Sequence, residues 1–189
     1  MVTGAAGTMG LAETRFLLEG GARVVTVDLS EARLREVAHS LHGEIMFVEA
    51  DICVAVTSAH ARAVLPTIKA RKWGRIINVS SLAAKTGWLT AGTAYSVSKG
   101  AMSALTFSLA RESAAFGVTV NAISPAYVRT PIVTEGLSEA QCEALLATIL
   151  VGRFCEPDEF AHVVRFLASP LAGFITGEVV DINGGLLMD

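Results

Sequence analysis

The chain has 189 residues, 52% of them hydrophobic and 17% charged, enough for one domain with a developed core and too few for two full domains. The apolar excess never gathers into an uncharged run long enough to span a bilayer. A formal net charge of -3 leaves no basic surplus for nucleic-acid phosphates or anionic headgroups, so membrane and nucleic-acid partners fall to low priority.

Cys53, Cys142 and Cys155 are odd in number and far apart, which suits core thiols in a reducing compartment better than a disulfide framework or a zinc site. The opening Met1-Val2-Thr3-Gly4 has neither the basic nor the apolar region of a secretory signal, so a cytoplasmic location is expected.

In chain order, strands are expected at Met1 to Thr3, Arg23 to Leu29, Glu44 to Ala50, Arg75 to Val79, Val118 to Ile123 and Glu178 to Ile182. Most are rich in Val and Ile and none contains Pro. Helices are expected between them at Gly10 to Gly20, Glu31 to Leu41, Val54 to Ala70, Ala94 to Phe116, Glu139 to Leu150 and Pro157 to Ala168. Ser30 is placed to cap the second helix, Gly117 to end the long one in a left-handed turn, and Pro157 to sit in a first turn. Apolar strands alternating with helices predict an α/β fold, a doubly wound parallel sheet in a single domain spanning 1–189.

The first strand runs into Thr3-Gly4-Ala5-Ala6-Gly7-Thr8-Met9-Gly10. Glycines here let backbone approach a pyrophosphate held by N–H groups at a helix N-terminus. Asp28 ends the second strand about 20 residues later, where a carboxylate accepts from adenosine ribose hydroxyls and repels a 2′-phosphate, which favours NAD over NADP. The blander reading of Asp28 is a turn residue before a helix cap.

Tyr95 and Lys99 lie one helical turn apart, on one face. An ammonium near a phenol stabilises phenolate and equips the phenol to exchange a proton with a carbonyl or alcohol oxygen. Upstream, Gly74-Arg75-Ile76-Ile77-Asn78-Val79-Ser80-Ser81 reads as a buried strand ending in two hydroxyls at the carboxyl edge of the sheet, where open α/β sheets bind ligands.

These segments, together with Val120-Asn121-x-Ile123-Ser124-Pro125, Thr176-Gly177 and Asn183-Gly184-Gly185, resemble the short-chain dehydrogenase/reductase family, in order over nearly the whole chain. The resemblance implies that Tyr95 is the acid/base, that Lys99 assists it and binds the nicotinamide ribose, and that Ser81, rather than Ser80, holds the reacting oxygen. It implies NAD as cofactor, contacted by Gly4, Gly7, Thr8, Met9, Gly10, Asp28, Asp51, Ile52, Tyr95, Lys99, Pro125, Val128 and Thr130, the last at the carboxamide. The implied reaction is hydride transfer between NAD(H) and a small alcohol/ketone pair. The helix carrying Tyr95 implies a homo-oligomer, dimer or tetramer, through its outer face, although Met102, Leu105, Phe107 and Leu109 also read as packing.

The chain departs from the family pattern in four places. Thr8 stands in a usual glycine position, and the Gly4, Gly7, Gly10 spacing is nearer the extended branch that includes sugar-nucleotide epimerases, whereas the rest resembles the single-domain branch. Ala126 replaces a glycine beside the nicotinamide. Between Asp51 and Ala63-Val64-Leu65-Pro66 the family carries a helix, a strand ending in Asn-Asn-Ala-Gly and the start of another helix, all absent here. Cys53 falls at about the place of an asparagine that positions a water in the family's proton relay, and a thiol is a poor substitute.

Loss of one helix with one strand preserves the β-α-β alternation. The third strand is therefore expected to cross over, right-handed, through Val54 to Ala70 into Arg75 to Val79, with that strand pairing directly to Met1 to Thr3. Two other functions stay open: a cofactor-binding or oligomer-forming relative without catalysis, and an epimerase-like enzyme using the same Tyr/Lys pair. His39, His42, His60 and His162 lack ligand partners in sequence, so no metal is expected. Arg71, Lys72 and Arg75 read as a solvated turn.

Overall fold

The computed structural model describes residues 1–50, 63–87 and 92–188. Strands and helices alternate: β1 (Val2–Thr3), α1 (Thr8–Glu19), β2 (Val24–Asp28), α2 (Glu31–Ala38) and β3 (Ile45–Glu49) form the first half. Residues 63–70 are helical (α3). They lead to β4 (Gly74–Val79), α4 (Ala83–Thr86), α5 (Thr93–Ser113), β5 (Val118–Pro125), α6 (Pro131–Thr134), α7 (Glu139–Leu146), α8 (Pro157–Ala168) and β6 (Val179–Ile182). The six expected strands are all present. The earlier part of the helix expected at Val54 to Ala70 lies outside the described residues, as do Asp51, Ile52 and Cys53. Cys142 and Cys155 are free thiols, each partly buried.

The expected punctuation is in place. The Ser30 hydroxyl accepts from the Arg33 N–H at 3.3 Å, Pro157 opens α8, and Gly117 adopts φ 72°. A Cβ at Gly117 would stand 2.3 Å from the Lys72 carbonyl oxygen, so close approach as well as backbone sign excludes larger residues there.

All pairing is parallel: β2 lies between β1 and β3, and β5 between β4 and β6. Every residue of β5 is buried because helices cover both its faces. Val118 and Val120 pack with Leu65 of α3 and Leu109 and Ala110 of α5, whereas Ile123, with odd parity, packs with Phe160, Val164 and Leu167 of α8. Each such apolar side chain contributes roughly 1.5–3 kcal/mol by leaving water. The first half has its own cluster, in which Val2 and Val24 meet Leu18 of α1 and Leu34 of α2.

Among the described residues the single continuous sheet expected from the sequence does not form. Their strands make two three-stranded sheets, β1-β2-β3 and β4-β5-β6, and β4 does not pair with β1. Two physical reasons are visible. β1 is only two residues long, far below the usual five or six, and offers a partner almost no ladder. The free edge of β4 is also engaged: the Ser80 N–H points to Ile123 on β5 at 2.8 Å, which turns the Val79 carbonyl the other way, and the Lys99 ammonium donates to it at 2.8 Å. The halves are joined instead by helix packing, α1 against α8, with Met9 beside the Phe160 cluster and an Arg15–Asp158 ion pair at the rim.

Candidate active site

The carboxyl ends of the strands and the loops after them enclose two neighbouring cavities. The first, about 630 Å³, is lined by Met1 to Gly4, Ala6 to Gly10, Glu13, Ile77 to Val79, Lys99, Met102, Thr130 and Ile132, among others. It therefore lies between the unpaired edges of β1 and β4 and extends over the glycine loop. Gly4 holds φ 64°, and a Cβ on Gly10 would meet the Gly4 carbonyl oxygen at 2.3 Å, so the loop folds tightly onto the first turn of α1. No side chain caps α1, which leaves its first N–H groups directed at the cavity. That donor set, in a space within the usual 300–1,000 Å³ of ligand sites, fits the pyrophosphate of a dinucleotide.

Asp28 does not line the cavity but supports its floor. One carboxylate oxygen accepts from the Ala6 N–H at 2.8 Å and the other from the Leu29 N–H at 2.8 Å, tying the glycine loop to the end of β2. The turn reading is thus the one observed, and each oxygen keeps a further lone pair free to accept.

The second cavity, about 540 Å³, is lined by Ser81, Leu82, Ala83, Thr86, Gly87, Tyr95, Ala126, Tyr127, Ile132 and Val133, among others. Ile132 lines both cavities, so they are neighbours at α6. Ser81 and Tyr95 face this second space. Ser80 does not: it is 1% exposed, with its hydroxyl donating to the Lys99 carbonyl at 2.9 Å and bonded to Ser103 at 2.9 Å. Ser80 anchors β4 to α5, and Ser81 is left for a ligand.

Lys99 and Tyr95 sit on α5 with the ammonium 5.6 Å from the phenol ring centroid, within the range of a cation–π contact. The Lys99 amine lies mainly in the first cavity, on Val79. Burial pushes its pKa below the ordinary lysine value, because desolvation disfavours the charged form. Thr130 lines the first cavity. Pro125 and Val128 are buried and line neither; Pro125 accepts from the Leu82 N–H at 3.0 Å and so fixes the residue that follows Ser81. Asp51 and Ile52 are outside the described residues.

Sequence reasoning missed Glu13, Tyr127 and α4. Glu13, on the cavity-facing side of α1, has its carboxyl pushed up to about 7 by burial, partly offset by the amine of Met1. Its signal was an acid at an apolar phase of the first helix. The motif residues Asn121 and Thr176 turn out to brace the sheet. Asn121 donates to the Ile175 carbonyl at 2.9 Å and accepts from the Glu178 N–H at 3.0 Å, and the Thr176 hydroxyl accepts from the Val120 N–H at 3.1 Å. Among the described residues no group of three or more His, Cys, Asp or Glu is arranged to hold a metal, and no helix is long and apolar enough to cross a membrane.

Residues 50–187 match the family model described as Enoyl-(Acyl carrier protein) reductase. This chain belongs to the short-chain dehydrogenase/reductase family. It is 43% identical over 129 residues to the 3-oxoacyl-acyl-carrier-protein reductase FabG of Vibrio cholerae serotype O1, covering 68% of this chain and 52% of that protein. It is 44% identical over 115 residues to the acetoacetyl-CoA reductase of Shinella zoogloeoides, 61% of this chain and 47% of that protein. The chain thus spans about half the length of the curated relatives it matches. In fold it is similar to a 3-oxoacyl-acyl-carrier-protein reductase of Brucella melitensis solved with bound NAD. The TM-score is 0.88 at 24% identity, over 99% of this chain and 90% of that one. The α/β, Rossmann-like architecture expected from the sequence is the architecture observed.

Proposed function

We propose that this chain is an NAD-dependent ketoreductase that interconverts a ketone and a secondary alcohol, with 3-oxoacyl thioesters as the substrate class. The observation that carries this reading is the adjacency of two cavities, one built from a glycine loop with Lys99 and the other walled by Ser81 and Tyr95. The thioester class is suggested by the names of the relatives and by a second cavity whose far wall, Ile132, Val133 and Leu137, is aliphatic.

The glycine loop and the first turn of α1 would hold the pyrophosphate, Asp28 the adenosine ribose, Lys99 the nicotinamide ribose, and Thr130 the carboxamide. When bound, NADH supplies the hydride. In the direction of reduction the Ser81 hydroxyl donates a hydrogen bond to the substrate carbonyl oxygen and polarises it. The Tyr95 phenol transfers its proton to that oxygen as negative charge develops. Lys99 stabilises the resulting phenolate by its charge at short range.

Val97 and Phe107, 66% and 46% exposed on the outer side of α5, support association into a homo-oligomer. A second reading, a relative that binds cofactor or assembles without turnover, is favoured by one observation: the Lys99 amine is committed to the Val79 carbonyl.

The two readings separate in one assay, NADH and NADPH oxidation with 3-oxoacyl thioesters of graded chain length. The ketoreductase reading expects turnover with NADH above NADPH. Cofactor binding with no turnover on any member of the series would contradict it and leave the second reading.

A further inference from the structure

α4 is a single turn between the proposed substrate cavity and a third cavity on the far side of the sheet edge. Ala83, Thr86 and Gly87 line the former. Ala84 and Lys85 line the latter, about 470 Å³, with Gly100, Ser103, Phe107 and Val179. A four-residue helix is far too short to persist by its own hydrogen bonds. This one buries none of its own residues and has no side-chain cap. Its start is held through Leu82, which is 3% exposed and donates to Pro125. Its end breaks at Gly87 with φ 74°.

What holds that end is an ion pair reaching across the sheet edge. The Lys85 ammonium donates to a carboxylate oxygen of Asp181 on β6 at 2.5 Å. Among the described ion pairs it is the one in which neither side chain exceeds 30% exposure, so water screens it least. The other Asp181 oxygen is buried without a hydrogen-bond partner among the described residues. So is the hydroxyl of Ser124, the residue paired with Asp181 in the β5–β6 register. A carboxylate so placed tolerates burial only with a cation against it.

We infer that Lys85 and Asp181 form a positioning pair that fixes the α4 wall of the substrate cavity and thereby sets how tightly the substrate is held. This rests on the reading of Ser81 and Tyr95 as the reacting site. Ser81 is secured from β5, because the residues on either side of it, Ser80 and Leu82, donate to Ile123 and Pro125, and its hydroxyl accepts from the Ala83 N–H at 3.2 Å, at the start of α4 that Leu82 anchors. Release of the Lys85 end therefore loosens the wall at the far end of α4 from that contact, and the effect falls on KM more than on kcat.

The test compares Lys85→Met, Asp181→Asn, the double variant and Lys85→Arg, using the thioester series and direct NADH titration. The inference expects KM to rise about tenfold in each single variant with kcat within about twofold, no further rise in the double variant, recovery in Lys85→Arg, and an unchanged NADH Kd. An unchanged KM, or a fall in NADH affinity parallel to the KM effect, overturns it. Amide hydrogen exchange of residues 84–87 is read in the same proteins. The inference expects lost protection in Lys85→Met and retained protection in Lys85→Arg, and equal protection in both overturns it. If the unaltered protein turns over no substrate, the functional reading fails, whereas the exchange result still decides whether the pair places α4.

Discussion

The Lys99 ammonium donates to the main-chain carbonyl of Val79 at 2.8 Å, so the cation that the family motif assigns to a ribose also covers the open edge of β4. Both tasks draw on one geometry: α5 lies on β4 and β5, and a lysine one turn beyond Tyr95 reaches either the strand edge or a ligand laid along it.

Lys99→Met keeps the length and removes the charge. It is expected to lower kcat/KM by about a hundredfold or more, in the range of lost acid–base assistance, and to weaken NADH binding at the same time. Steady-state kinetics with a parallel fluorescence titration measure both. A variant with unaltered kcat/KM would show that Lys99 serves the strand edge alone.

Glu13 gives a pH signature. Its folded pKa is raised to about 7 from an ordinary 4.5, so the folded state retains the proton longer than the unfolded chain does. Stability from this group is therefore fully present below about pH 4.5 and declines as pH rises through 7. With 1.36 kcal/mol per pH unit as the ceiling, the loss by pH 8 is about 2–3 kcal/mol. Glu13→Gln should raise the urea midpoint at pH 8 and leave it nearly unchanged at pH 4.5. A gain of equal size at both pH values would assign the effect to packing.

Asp28 supports the glycine loop, and in the proposed function it also offers charge to the adenosine end of the cofactor. Asp28→Ala removes the acceptor for the Ala6 N–H, and it is expected to weaken NADH binding by about tenfold or more, in keeping with a lost charged hydrogen bond. Discrimination against NADPH should narrow in the same titrations. Equal losses for the two cofactors would limit Asp28 to its loop-holding role.

Phe160 is fully buried and lies where α8 meets Ile123 and Met9, at the packing that joins the halves. Phe160→Ala is expected to destabilise by about 3–5 kcal/mol, read from urea unfolding followed by tryptophan fluorescence. A change below about 1 kcal/mol would show that this contact does not hold the halves together.

Much of this arrangement was legible in the residues. Period and punctuation located the strands because β-branched runs such as Val118 to Ile123 have no competing helical pattern. The Tyr95 and Lys99 pair was legible because its spacing is local, whereas Ser81 was indicated by the family resemblance. Strand pairing was not. Nothing in the sequence states that Lys99 fills the edge that pairing would have used. Glu13 and the Lys85–Asp181 pair were hidden for the same reason: their meaning comes from groups 12 to 96 positions away that only folding brings near.

In the proposed function the Tyr95 phenol moves the proton while other residues hold the cofactor. Tyr95→Phe tests this most directly, measured as single-turnover reduction of a 3-oxoacyl thioester beside NADH affinity on the same preparation. The expected rate is lowered by at least about a hundredfold with NADH Kd within about twofold. A rate close to that of the unaltered protein would contradict it.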